Sequence, residues 1–63
     1  MKTNKTVLDV LQQELEIELS MADFWTREAE RSKTHDRYVL CQNIRIAHIA
    51  VVEALQKRQQ AGL

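Results

Sequence analysis

Proline is absent from this sequence, and its single glycine is Gly62, so no strong helix breaker interrupts the interior of the chain. Leu, Glu, Gln, Ala, Lys and Arg are abundant, and all of them favour helices. The lack of breakers argues against a loop-rich or strand-rich fold. The sequence therefore predicts an all-α chain made of long helices.

The sequence also has a single cysteine, no formal net charge and no long apolar run. Nine basic and nine acidic residues give a formal net charge of zero, whereas nucleic-acid binders usually carry a basic excess. No run approaches the roughly 18 consecutive apolar residues of a membrane span, and residues 1–5 lack the apolar stretch of a signal peptide. We therefore expect a cytoplasmic protein that contacts no membrane, with nucleic acid a less favoured partner.

The chain also lacks some of the features that stabilise small proteins. A domain of 63 residues buries only about 60% of the surface that its unfolded chain exposes. Disulfides, a metal or oligomerisation usually offset this deficit. Cys41 is the only cysteine, so no disulfide can close within the chain. Oligomerisation is the remaining means of stabilising the fold.

The first helix is predicted from about residue 6 to residue 31. Thr6 and Asp9 match a capping box, in which each side chain binds the other residue's backbone N–H. One apolar stripe follows at helical spacing and predicts the core: Leu8, Leu11, Leu15, Leu19, Ala22 and Ala29. A second apolar band lies beside it: Val10, Ile17, Met21 and Phe24.

A turn is predicted at about residues 32–36, where the apolar pattern stops. Ser32, Thr34 and Asp36 are candidate N-caps, and Asp36 is taken as the cap of a second helix over about 36–59. The apolar stripes before and after the gap stay in phase, so one continuous helix is left open. An antiparallel hairpin is favoured because folding back buries each stripe on the other.

The second helix is apolar on nearly every side. Its main stripe is predicted to face the first helix: Leu40, Ile44, Ala47, Val51 and Leu55. Cys41, His48 and Val52 flank that stripe. A helix with so much apolar surface must be buried on more than one side. We therefore predict a homodimer with a four-helix arrangement, although a higher oligomer stays open, and the predicted interface is Val10, Ile17, Met21, Val39, Ile46, Ile49 and Ala50.

Few residues suggest a metal site or a catalytic site. Cys41 and His48 are seven residues apart, and a zinc site usually needs four ligands at short spacings. The tripeptide His35-Asp36-Arg37 contains catalytic residue types, but adjacent residues do not share a helix face. We therefore expect no metal, no cofactor, no catalytic residue and no enzymatic activity.

The bend carries the residue types that most often anchor a protein partner. Aromatic residues and arginines concentrate binding energy at interfaces, and arginines pair well with carboxylates. The predicted partner-binding residues are Phe24, Arg27, Arg31, Arg37 and Tyr38. A solvated loop is the alternative for this segment, and the sides of the helices are the alternative binding site.

Glu18 lies inside the apolar arc of the first helix and needs an explanation. It is either a rim residue or the partner of a cation across an interface. In an antiparallel hairpin it lies opposite residues 48–51, so His48 and Arg45 are the available partners.

Segments 21–25 (MADFW) and 36–43 (DRYVLCQN) resemble a small phage-encoded regulator. The chain as a whole is similar in size and topology to the phage quorum-sensing anti-activators, which are dimeric helical hairpins. This resemblance implies an inhibitor in the host cytoplasm that binds a host transcription activator, blocks its binding to DNA and contacts a second host protein. An RNA- or DNA-binding hairpin dimer and a structural assembly subunit are the alternative functions.

Overall fold

Two antiparallel α-helices make up the structure, a computed structural model that describes residues 6–61. Helix α1 spans Val7–Glu30 and helix α2 spans His35–Gln60. The prediction of an all-α helical hairpin is confirmed. Residues 1–5, on which the expectation of no signal peptide rests, lie outside the described part of the chain.

Helix α1 begins at a capping box. The Thr6 hydroxyl accepts a hydrogen bond from the backbone N–H of Asp9 at 3.1 Å, and the Asp9 carboxylate accepts one from the backbone N–H of Thr6 at 3.3 Å. These two bonds satisfy amides that have no partner within the helix. The capping box predicted from the sequence is therefore confirmed.

The bend consists of a short connection between Glu30 and His35. The Ser32 hydroxyl donates a hydrogen bond to the carbonyl oxygen of Glu28, which satisfies one of the last carbonyls of α1. Thr34 is the N-cap of α2, because its hydroxyl accepts a hydrogen bond from the backbone N–H of Arg37 at 3.2 Å. The prediction that Asp36 caps α2 is wrong. Asp36 lies in the first turn of α2, where its negative charge interacts favourably with the positive end of the helix dipole.

Within residues 6–61, five residues are buried between the helices. They form one contact line along each helix: Leu15, Ala22 and Ala29 on α1, and Cys41 and Val52 on α2. Three of them are small, so little side-chain volume separates the two backbones near the bend. Cys41 has no exposed surface at all.

The side of α2 that faces α1 differs from the predicted one. Leu40 is 53% exposed and Val51 is 43% exposed, whereas their neighbours Cys41 and Val52 are buried. Successive residues lie about 100° apart around a helix, so α2 is rotated by roughly one residue from the predicted orientation. The reason is that α2 is apolar on most sides, and the small thiol of Cys41 fits the alanine side of α1. On α1 the predicted core residues Leu8 and Leu19 are exposed as well.

Glu18 and His48 form the polar contact at the middle of the hairpin. The Nδ1 atom of His48 lies 2.5 Å from the Oε1 atom of Glu18, and the two side chains are only 21% and 19% exposed. The predicted placement of Glu18 opposite His48 is confirmed. Arg45, the other predicted partner, instead donates a hydrogen bond to the side chain of Gln42.

We predict that Leu15→Ala destabilises the hairpin by about 2–5 kcal/mol, because the substitution leaves a cavity in the contact line. Leu19→Ala is the matched control, since Leu19 lies one helical turn away and is 49% exposed. The control should cost less than about 1 kcal/mol. Urea denaturation at one fixed protein concentration measures both changes. Equal losses would show that the contact line does not carry the stability of the hairpin.

Candidate protein-binding surface

Within residues 6–61, more large apolar side chains are exposed than buried. Twelve large hydrophobic or aromatic side chains are at least 39% exposed, whereas the buried core of this part of the chain has five residues, two of them alanines. The backbone forms a slab only 11 Å thick, which is a single layer of helices. Stable domains usually pack two or more layers around one core. Residues 6–61 supply only one such layer.

Exposed apolar residues of both helices lie on one side of the hairpin. Glu28 and Arg37 form an ion pair at 3.2 Å that crosses from α1 to α2 on that side. Residues seven apart drift by only about 20° around a helix, so Glu14 and Met21 lie in line with Glu28, and Ile44 lies in line with Arg37. We call this surface the apolar face, and its apolar residues are Met21, Leu40, Ile44 and Val51.

The predicted dimer residues fall on several sides of the hairpin. Met21 belongs to the apolar face, whereas Val10 and Ile17 point away from α2, because they lie about 140° and 160° around α1 from the buried Leu15. Three others lie roughly 150° around α2 from the contact line and point away from α1: Val39, Ile46 and Ala50. Ile49 is half-buried beside α1. The structure therefore does not bring the seven residues together in one surface of a single hairpin.

The arginines at the bend are paired with acidic residues of α1. Arg31 and Arg37 both contact the carboxylate of Glu28, at 3.5 Å and 3.2 Å. Arg27 pairs separately with Asp23, one turn earlier on α1. Arg31 and Arg37 thus form one cluster, and Arg27 stands apart from it. All three remain exposed, so they keep N–H donors for further contacts.

The aromatic side chains at the bend also divide between two sides. The ring of Phe24 meets the half-buried ring of Trp25 edge to face, with 5.2 Å between centroids. Phe24 lies beside Met21 at the edge of the apolar face. Tyr38 lies on the opposite side of the contact line from Arg37, and its hydroxyl accepts a hydrogen bond from Gln42 at 2.8 Å. A flat partner could not contact both rings at once.

Three residues suggested a metal site, and each of them has different surroundings in the structure. Cys41 is buried in the contact line, and His48 contacts Glu18. His35 is exposed at the start of α2. Within residues 6–61, no group of three or more His, Cys, Asp and Glu side chains is placed to hold a metal ion. A depression on the outer side of α1, beside Gln13, Ile17 and Ser20, is open to solvent.

Helix α2 is long and apolar enough to cross a membrane by length and composition alone. Mostly buried core helices of soluble proteins and signal sequences meet the same criteria, and 11% of the apolar window of α2 is buried. Its central stretch contains Arg45 and Glu53, and charged residues of this kind cost about 2.5–3.5 kcal/mol each at the centre of a bilayer. Its imidazole at position 48 is already paired with α1.

No protein-family model, no curated protein and no solved structure matches this chain.

We predict that Cys41 acts as a small buried hydrophobic residue. Cys41→Ala should lower the free energy of unfolding by about 1 kcal/mol, and EDTA should leave the melting temperature unchanged. Thermal unfolding followed by circular dichroism, with and without the chelator, measures both. A fall of many degrees in EDTA would reveal a metal site and contradict this interpretation of Cys41.

Proposed function

We propose that the chain is a non-enzymatic regulator that works by binding proteins, first a second copy of itself and then a cytoplasmic partner. The observation that carries this proposal is the number of large apolar side chains left exposed within residues 6–61, twelve against a buried core of five residues. Contiguous apolar patches on soluble proteins usually mark interaction sites.

The bend is the proposed site for the second partner. The residues proposed to bind it are Phe24, Arg27, Arg31, Arg37 and Tyr38. Arg31 is 75% exposed at its side chain although one of its nitrogens approaches Glu28. Its remaining donors can form paired hydrogen bonds with a carboxylate. Because Phe24 and Tyr38 lie on different sides, the partner must wrap around the bend or use only one of the two rings.

A transcription activator is the partner to test first, and its support is the resemblance to phage anti-activators. In that role the hairpin would occupy the activator and keep it from DNA. A protein that acts in this way must reach the activator in the host cytoplasm.

Nucleic-acid binding is the second candidate, because three arginines lie at the bend. The pairing of these arginines with Glu28 and Asp23 weakens the positive potential that phosphates require. The formal net charge of zero has the same effect. Salt separates the candidates, since affinity for nucleic acid falls steeply as the salt concentration rises.

The decisive experiment is capture of partners from host cytoplasm by the tagged chain, with and without nuclease. A captured protein is then purified and titrated with the hairpin by calorimetry. If it is a DNA-binding activator, the hairpin should abolish its gel shift on its own operator. Capture that is lost after nuclease treatment would favour the nucleic-acid candidate and overturn the proposal.

We predict that Arg31→Ala and Tyr38→Ala each weaken binding of the captured partner at least tenfold, or about 1.4 kcal/mol. Both side chains are exposed, so the hairpin itself should stay folded. Lys57→Ala, an exposed change at the other end of the molecule, is the control and should bind normally. Normal binding by both bend variants together with loss in Lys57→Ala would place the site at the open end.

A further inference from the structure

Two arginines from opposite sides of the bend meet at the carboxylate of Glu28. Arg31 is the C-cap of α1, whereas Arg37 lies in the first turn of α2. A terminal nitrogen of Arg31 lies 3.5 Å from Oε2 of Glu28, and one of Arg37 lies 3.2 Å from Oε1. The two guanidinium groups are therefore separated by no more than these two distances and the width of one carboxylate. We call the three side chains the bend cluster.

The members of the bend cluster differ in exposure. The side chain of Glu28 is 22% exposed, whereas those of Arg31 and Arg37 are 75% and 53% exposed. Each guanidinium group carries five N–H donors, and each brings a single nitrogen to Glu28. Within residues 6–61, Glu28 is the one acidic side chain that pairs with either arginine. Both arginines therefore keep donors that a further acceptor can use.

The charge of the bend cluster matches a single carboxylate. Two arginines and one glutamate leave one positive charge, and one carboxylate neutralises it. The contact with Glu28 shows that the two guanidinium groups fit around a group of this size. Arg27 adds no net charge, because it is paired with Asp23. Nucleic acid relies instead on many phosphate contacts made by many cations.

Apolar side chains lie beside the bend cluster. Leu40 follows Arg37 by three residues, about one turn of α2, and is 53% exposed. Trp25 precedes Glu28 at the same spacing on α1 and is half-buried. A protein segment with an apolar residue next to an acidic one can contact these side chains and exclude water from the charges. Charge pairs become stronger as water is excluded from them, which favours a protein segment over a small free anion.

We propose that the bend cluster binds the side-chain carboxylate of an acidic residue of the protein partner, held by Arg31 and Arg37 together through charge-assisted hydrogen bonds. This inference rests on the proposed binding of a protein partner at the bend, and it names the chemistry that the partner presents there. It also divides the three arginines of the bend, because Arg27 takes no part in holding the carboxylate.

Nuclear magnetic resonance of the arginine side chains tests the assignment on the full chain. The isotope-labelled protein is titrated with a capped oligoglutamate peptide at low ionic strength, where charge pairs are screened least. An oligoglutamine peptide of the same length is the uncharged control. The Nε–H signals of Arg31 and Arg37 should shift and saturate with oligoglutamate, and not with oligoglutamine. The signal of Arg27 should shift less than either.

Substitution of each arginine provides matched variants that remove the same charge. Arg31→Ala and Arg37→Ala should each weaken oligoglutamate binding about threefold or more, since one arginine then holds the carboxylate alone. Arg27→Ala should stay within about twofold of the wild type, because its charge is already paired with Asp23. All three side chains are exposed, and circular dichroism checks that the helix content is unchanged.

Three results would overturn the assignment. The first is the lack of a saturable shift at both arginines in millimolar oligoglutamate. The second is an equal loss in Arg27→Ala, which would mean that the bend binds acids through its overall charge. The third is tighter binding of a single-stranded oligonucleotide than of oligoglutamate at the same salt concentration. Each of these leaves self-association and the capture of a protein through other residues intact. A chain that sediments as a monomer and captures no protein would overturn the proposed function itself.

Discussion

The close approach of two helices along a line of small residues determines the rest of this structure. Ala22 and Ala29 on α1 and Cys41 on α2 occupy that line, and all three are buried. Small residues leave little apolar area to bury there, so most of the large side chains lie to either side of the contact. The hairpin is therefore held by few contacts, and its larger apolar residues are free for other surfaces. The residues that hold the hairpin together are therefore different from the large apolar residues that it exposes.

Polar contacts across the hairpin set its register. The Glu18–His48 contact lies at mid-length, the Glu28–Arg37 ion pair lies near the bend, and a Gln12–Gln59 hydrogen bond of 2.9 Å lies near the open end. Each demands one particular alignment of the helices along their axes. Apolar packing alone would tolerate slippage by one turn, because a helix that is apolar on most sides offers similar surfaces after each shift.

The sequence predicts the helices of this fold better than it predicts which side of each helix faces the other. The capping box at Thr6 and the placement of Glu18 opposite His48 follow from local pattern and from antiparallel geometry, and both are confirmed. The side of α2 that faces α1 was predicted wrongly, because hydrophobicity gives no preferred direction on a helix that is apolar nearly all round. In the structure, Cys41 is fully buried and His48 contacts Glu18, and neither contact is visible in the hydrophobic pattern. For the candidate site, the residue types at the bend could be named from the sequence. That Arg31 and Arg37 converge on Glu28 depends on tertiary structure.

The complete burial of the Cys41 thiol makes the native cysteine a reporter of hairpin opening. A thiol with no exposed surface cannot meet an alkylating reagent until the two helices separate, since reaction requires access of the reagent to the thiolate. The rate of alkylation under native conditions therefore reports how often the two helices separate. Because no other cysteine is present, the count comes from one place in the fold, beside the bend, and it needs no engineered label.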